Sequence, residues 1–235
     1  MIFFDIDGTL LDHKGAELEG IKKFYEKYGF SQLTEFETFK NVWTLASGKN
    51  FDRYLKKEIS FEEQRANRII DVFKEFNMDI TYEEALKKFE DYLIVYEESL
   101  MSYDDVITCL EVLKIQKLGI ISNGDHEQQI KKLEKMGIRS YFEDVITAGS
   151  LGVAKPNVRI FEIACERNAV EVEDSCYIGD DIKSDSLPCN EIGMKAVFIN
   201  RNQKEVDRGI IQVNSLLELM SVLQIKRTRN VDMKR

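Results

Sequence analysis

The chain has 235 residues, of which 33 are Lys or Arg and 42 Asp or Glu, for a net charge of −9. That length suits one large α/β domain or a core with a smaller insertion, and the acidic balance argues against a nucleic-acid polymer or a membrane surface as partner. No stretch of about 18 apolar residues stands out as a membrane span, Asp5 interrupts the N-terminal apolar run before a signal segment could form, and Cys109, Cys165, Cys176 and Cys189 make no C-x-x-C pair, so a cytoplasmic chain with buried thiols is expected.

Ile2, Phe3 and Phe4, an apolar run without polar alternation, predict a strand buried on both faces. It ends in Asp5 and Asp7, which the period of two places on one side, with Ile6 pointing back into packing and Gly8-Thr9 turning the chain. A helical stretch follows. Leu18, Ile21, Phe24, Tyr25 and Tyr28 recur at helical spacing over Ala16 to Tyr28, with Gly29 as a stop. A second helix is expected over Thr34 to Ala46, before Ser47-Gly48. Capping boxes at Ser60/Glu63 and Thr81/Glu84 open two more, carrying Ile69, Ile70 and Phe73, and Leu86, Phe89 and Leu93. With no convincing strand between about 15 and 100, this block reads as an inserted helical subdomain. Phe36, Phe39, Trp43, Phe51 and Tyr54 are expected to form its small core, with one or two facing a cleft.

From about Asp104 helices and strands alternate. A helix through Val106, Leu110 and Leu113 precedes a strand over Lys117 to Ser122, and Asp125 then caps a helix with Ile130, Leu133 and Met136 on its buried face. Asp144 to Ala148 predicts a strand, followed by a loop to Lys155 and Pro156, with the proline starting a helix through Ile160, Phe161 and Ala164. Cys176 to Ile178 is the next strand, ending in Gly179-Asp180-Asp181 and then Asp185, and Lys195 to Ile199 is the last clear one. Such alternation implies a mostly parallel sheet with right-handed crossovers. The final residues, including Lys226, Arg227, Arg229, Lys234 and Arg235, read as a solvated tail.

In a parallel sheet the strand ends carrying Asp5 and Asp7, Ser122 and Asn123, Lys155, and Asp180, Asp181 and Asp185 all point to one edge. Two unit charges about 4 Å apart repel by roughly 4 kcal/mol at an effective dielectric of 20, so such carboxylates need protonation or a cation. An all-oxygen set without His or Cys selects a hard ion, and Mg²⁺ fits best. Ser122, the backbone N–H groups of Asn123 and Gly124, and Lys155 are the donors a phosphate needs.

These residues resemble the haloacid dehalogenase-like hydrolases with a helical cap. The family's motifs stand here as Asp5-Ile-Asp7-Gly-Thr-Leu10, Ile121-Ser122-Asn-Gly124, Ala154-Lys155-Pro156 and Gly179-Asp180-Asp-Ile-Lys-Ser-Asp185, in the family's order. One departure is Ser186-Leu-Pro188-Cys189, where the family usually continues a helix through small residues. The resemblance implies an α/β fold with a Rossmann-like parallel sheet flanked by helices, formed by 1–14 and 100–225, a helical cap over 15–99 and a tail at 226–235. The cap would gate the site through hinges near 12–16 and 99–104.

By the same resemblance Asp5 would be the nucleophile and Asp7 the general acid and base. Asp5, Asp180 and the backbone carbonyl of Asp7 would hold Mg²⁺ with Asp185 in support, and Ser122 and Lys155 would hold phosphoryl oxygens. The implied activity is Mg²⁺-dependent hydrolysis of a small phosphate ester, a nucleoside monophosphate or sugar phosphate, through an aspartyl-phosphate, by a monomer or homodimer. A 2-haloacid dehalogenase, a phosphomutase and a non-catalytic binding module stay as alternatives. An alkoxide leaving group needs the proton that Asp7 offers whereas a halide does not, which favours phosphoryl chemistry. Asp181 reads as an outer partner of the site or a solvated neighbour, with the latter favoured. Arg65 and Arg68 could meet an anionic substrate, but solvation on an exposed helix face is the expectation.

Overall fold

The computed structural model of the chain describes residues 1–206 and 208–223; the basic stretch 226–235 lies outside them. The sheet starts where the apolar run does. Strand β1 (Ile2–Phe4) is buried along its whole length, and β2 (Leu118–Ser122), β3 (Asp144–Thr147), β4 (Cys176–Gly179), β5 (Lys195–Ile199) and β6 (Gln212–Val213) complete the sheet. All neighbours pair in parallel, in the order β3-β2-β1-β4-β5-β6. The chain therefore runs from β1 outward through β2 and β3 and returns to β4 on β1's other side. This reversal opens a crevice at the carboxyl ends of β1 and β4.

Alternate residues of each strand enter different cores, as expected of a sheet covered on both faces. Phe4, Ile120 and Ile178 face one core, and Phe3, Ile121 and Tyr177 the other. Each buried side chain of this size contributes roughly 1.5–3 kcal/mol, which is why the apolar runs rather than their neighbours became the strands.

Four helices follow β1: α1 (His13–Lys27), α2 (Phe36–Leu55), α3 (Phe61–Glu75) and α4 (Tyr82–Glu98). They pack chiefly on one another, α1 on α4, α2 on α3, and α3 on α4. Their shared interior is aromatic. The rings of Phe30 and Phe39 lie 4.5 Å apart, and Trp43 sits 5.0 Å from Phe24 and 4.7 Å from Tyr92. Ser60 and Thr81 each close a capping box, satisfying N–H groups that a bare helix start would leave unpaired. Where the chain enters and leaves these helices, the Asp12 N–H donates to the Met101 carbonyl at 2.9 Å and the Tyr103 N–H to the Leu10 carbonyl at 3.1 Å.

Helix α2 runs nine residues past the expected end at Ala46, through Ser47-Gly48 to Leu55. An interior glycine costs about 1 kcal/mol, and burial of Asn50 together with packing of α2 on α3 outweighs it. Phe39 and Trp43 belong to the core, while Phe51 faces the cleft.

Helices α5 (Val106–Leu113), α6 (His126–Lys135), α7 (Ala148–Leu151), α8 (Arg159–Arg167), α9 (Leu187–Glu191) and α10 (Leu219–Val222) flank the strands. Asp125 caps α6 by accepting from the Gln128 N–H at 3.1 Å. Pro156 does not open α8, which starts three residues later at Arg159. After β4 a short π-helical turn (Ile182–Ser186) passes into α9, whose first turn holds Pro188. The two-residue β6 has too little pattern to be read from sequence. Among the described residues no helix is long and apolar enough to cross a membrane.

Candidate active site

The carboxyl ends of β1, β2 and β4 open onto a cleft of about 320 Å³ whose other wall comes from α1 to α4. Asp5 and Asp7 reach it from just beyond β1, Ser122, Asn123 and Gly124 from the end of β2, and Lys155 from the loop before α8. Asp180, Asp181 and Asp185 enter beyond β4. All these sequence-predicted residues thus line one cavity, because parallel strands deliver their ends to one edge.

Lys155 is the buried hub. Its Nζ lies 2.9 Å from Asp5 Oδ1 and 2.7 Å from Asp185 Oδ1, and it donates to the Tyr177 hydroxyl at 2.7 Å. That hydroxyl in turn donates to the Ile121 carbonyl at 2.9 Å, which anchors the hub to β2. Asn123 fixes the loop: its side-chain amide donates to the Lys155 carbonyl at 2.9 Å and its Oδ1 accepts from the Lys155 N–H at 2.7 Å. Burial works against the charge on Lys155, but Asp185 and Asp5 outweigh it and hold the amine above the ordinary lysine value.

One lysine cannot neutralise three acids. One carboxylate oxygen from each of Asp5, Asp180 and Asp185 lies within 4.8 Å of the other two. Burial pushes Asp5 up to about 8, with Lys155 opposing and Asp185, Asp180 and Asp7 adding to the rise. Burial also lifts Asp180 to about 6, again with Asp185 adding to it. An all-oxygen cluster so short of positive charge fits a hard divalent cation.

Two glycines make the cluster possible. Gly8 adopts φ +87°, and a Cβ there would stand 2.2 Å from Asp180 Oδ2; at Gly179 a Cβ would stand 2.2 Å from Asp185 Oδ2. Gly8→Ala is therefore expected to cost about 1–2 kcal/mol from backbone conformation alone and to push Asp180 out of place. Thermal unfolding checks this; an unchanged midpoint would show that Asp180 has room to move.

Asp7 sits in a second group that sequence reasoning missed. Lys132 Nζ donates to its Oδ1 at 2.6 Å and its Oδ2 at 2.9 Å, and Gln129 Nε2 donates to Oδ2 at 2.9 Å. His13 Nδ1 stands 3.6 Å from Asp7 Oδ1 and 2.9 Å from the Tyr96 hydroxyl. Burial works to raise Asp7, but Lys132 and His13 more than offset it and hold the carboxyl below the ordinary range. Gln129 Nε2 also donates to Ser122 Oγ at 2.6 Å, leaving the serine's own O–H free to donate into the cleft. Gln129 and Lys132 are three apart on α6, on the flank of the Leu133 stripe, and that spacing was the available signal.

Asp181 is exposed, as a solvated neighbour would be, but it also shapes the loop beyond β4. Its Oδ1 accepts from the Ser184 N–H at 2.7 Å and caps the π-helical turn, while its own N–H donates to Asp185 Oδ2 at 3.0 Å. The expectation of solvated arginines fails. Arg65 and Arg68 both line the cleft, and Arg68 is only 9% exposed, because α3 turns this face toward the strand ends.

The sequence profile of the family described as haloacid dehalogenase-like hydrolase matches residues 2–199. A glyceraldehyde 3-phosphate phosphatase of Methanothermobacter thermautotrophicus is 31% identical over 227 residues, covering 92% of each chain. The human N-acylneuraminate-9-phosphatase is 28% identical, covering 95% of this chain and 93% of its own. Among solved structures, the HAD-hydrolase YfnB of Bacillus subtilis superposes with a TM-score of 0.77 at 22% identity, over 95% of this chain and 98% of that one, a likeness of fold.

Proposed function

The chain belongs to the haloacid dehalogenase-like hydrolases, and from that premise we propose that it is a phosphatase that hydrolyses small phosphorylated metabolites with Mg²⁺ through an aspartyl-phosphate. The observation that carries this reading is the shared contact of Lys155 with Asp5 and Asp185 beside Asp180, which sets a nucleophilic carboxylate in a buried, cation-seeking cluster. Relatives aligned over nearly the whole chain are named as phosphatases of small phosphorylated metabolites.

In the proposed reaction an oxygen of Asp5 forms a bond to phosphorus as the ester P–O bond breaks. Lys155 keeps the attacking carboxylate oriented, and the Ser122 hydroxyl, with the backbone N–H groups of Asn123 and Gly124, donates to the phosphoryl oxygens. The departing alkoxide takes a proton from Asp7. Asp7 is ionised in the free protein; a phosphate dianion arriving beside it raises its pKa, so that it first takes up a proton from solvent, and this is the proton it passes to the alkoxide. Asp7 then takes a proton from water as that water attacks the aspartyl-phosphate, releasing inorganic phosphate and restoring Asp5. Mg²⁺ held by Asp5, Asp180 and the Asp7 carbonyl, with Asp185 behind them, would supply positive charge against the phosphoryl oxygens. The helices over 15–99 act as the cap that shields the aspartyl-phosphate from untimely water.

Release of phosphate from p-nitrophenyl phosphate, present with Mg²⁺ and abolished by EDTA, is the expected result. Halide release from a 2-haloacid without added metal would overturn the reading in favour of a dehalogenase.

A pH dependence follows from the raised carboxyls. An acid whose folded pKa exceeds its ordinary value of 3.8 costs nothing to folding while protonated and destabilises progressively as pH rises toward its folded pKa. The metal-free protein is thus expected to lose stability through Asp180 between about pH 4 and 6, and through Asp5 between about pH 4 and 8. A bound cation favours the ionised forms, so Mg²⁺ should raise the melting temperature more at pH 8 than at pH 5. Thermal scans with and without Mg²⁺ at both pH values check it; an equal shift at both would contradict the assigned ligands.

A further inference from the structure

Helix α3 presents Gln64, Arg65 and Arg68 to the cleft, opposite the strand ends that carry the phosphoryl donors. Arg53, Arg159, Arg167 and Arg201 each meet a carboxylate elsewhere in the fold. Among the described residues no carboxylate lies within 4.0 Å of Arg65 or Arg68, although Asp125 acts on Arg65 and Glu17 on Arg68 from farther away. Arg68 is 9% exposed, and one of its terminal nitrogens donates to Gln64 Oε1 at 3.0 Å. Its Nε, like that of Arg65, is buried and has no hydrogen-bond partner among the described residues.

Aromatic rings hold both guanidinium groups. Arg65 Cζ lies 4.3 Å from the Phe61 ring centre and 5.3 Å from that of Phe89, and Arg68 Cζ lies 5.4 Å from Phe89. Ring contacts of this kind stabilise a cation yet offer it no hydrogen-bond acceptor. Burial lowers both arginines from their ordinary value, and Arg68 adds to the lowering of Arg65. A buried and a half-buried like charge whose Nε donors are unused cost free energy until an anion joins them. The substrate's ester phosphate is not that anion, because Ser122, Asn123, Gly124 and Lys155 await it at the strand ends.

We propose that Arg65 and Arg68 form a second anion subsite, selecting phosphate monoesters that carry a further oxyanion, a carboxylate or a second phosphate, at the end away from the ester. The assignment of the strand-end donors to the ester phosphate rests on the phosphatase reading above; the subsite itself is a matter of binding.

Calorimetric titration of the Mg²⁺-loaded protein with propylphosphonate, 3-phosphonopropionate and propane-1,3-bisphosphonate tests it without turnover. At least one of the two ligands with a second anionic group should bind about tenfold or more tightly than propylphosphonate, as charge-assisted bonds to arginine imply, and whichever does identifies the oxyanion that is read. Arg65→Gln and Arg68→Gln should each reduce that preference to about threefold or less. Arg65 is half-buried, so its variant keeps the test valid if loss of Arg68 impairs folding. Equal binding of all three ligands by the unmodified protein, or a preference that survives in folded Arg65→Gln, would overturn the subsite. Hydrolysis of p-nitrophenyl phosphate by the unmodified protein reports separately on the phosphatase reading. A preference without hydrolysis would sink the catalysis and leave the subsite, and hydrolysis without a preference would do the reverse.

Discussion

The Asp5→Asn protein is expected to release phosphate from p-nitrophenyl phosphate at least about 10⁴-fold more slowly than the unmodified chain, as loss of a nucleophile does elsewhere. An amide is nearly the same size as the carboxylate, so packing around β1 is kept while the attacking oxygen loses its charge. The same substitution removes the charge that Asp5 takes on only as pH rises past about 8, the value to which burial has pushed it. In the absence of metal and above about pH 8 the variant should therefore melt at a higher temperature, on the order of 2–4 °C for each kcal/mol of relieved repulsion. Lower activity with higher stability separates a functional carboxylate from a structural one. Turnover within tenfold of the unmodified protein would dispose of the covalent route.

Lys155→Met should do the opposite to stability. Nζ is the cation shared by Asp5 and Asp185, and methionine fills similar volume without charge. Removing one partner of a buried ion pair typically costs about 3–5 kcal/mol, since the charge left behind has neither water nor counterion. Activity should also be lost, because Lys155 orients the nucleophile. Denaturant unfolding of the metal-free variant reads the loss, and Mg²⁺ should stabilise it by more than it stabilises the unmodified protein. A midpoint unchanged from the unmodified protein would mean that neither Asp5 nor Asp185 depends on Lys155 as its counterion.

Much of this architecture was legible before any coordinates. Ile2-Phe3-Phe4 is a strand because three apolar residues in succession suit only a position covered on both faces, and Asp5 and Asp7 follow it directly. The capping boxes at Ser60 and Thr81 are equally local, since three-residue spacing decides them. Gly48 signals a stop in the sequence, yet α2 continues through it because a helix's own propensity is weaker than the packing of α2 on α3. Lys132 and Arg68 were opaque for a related reason: a long cationic side chain on a helix is usually solvated, and only its neighbours reveal otherwise.

The sequence by itself determined which chemical groups are present and that they stand at strand ends, because the strand periodicity and the parallel alternation of elements are written in short stretches of chain. Tertiary structure alone decided which group serves which. It joined Lys155 to Asp5 across 150 residues, set Lys132 and His13 against Asp7, and turned Arg65 and Arg68 inward. Those pairings arise from how helices settle on the sheet, a cooperative outcome of burial over the whole core that no local spacing records.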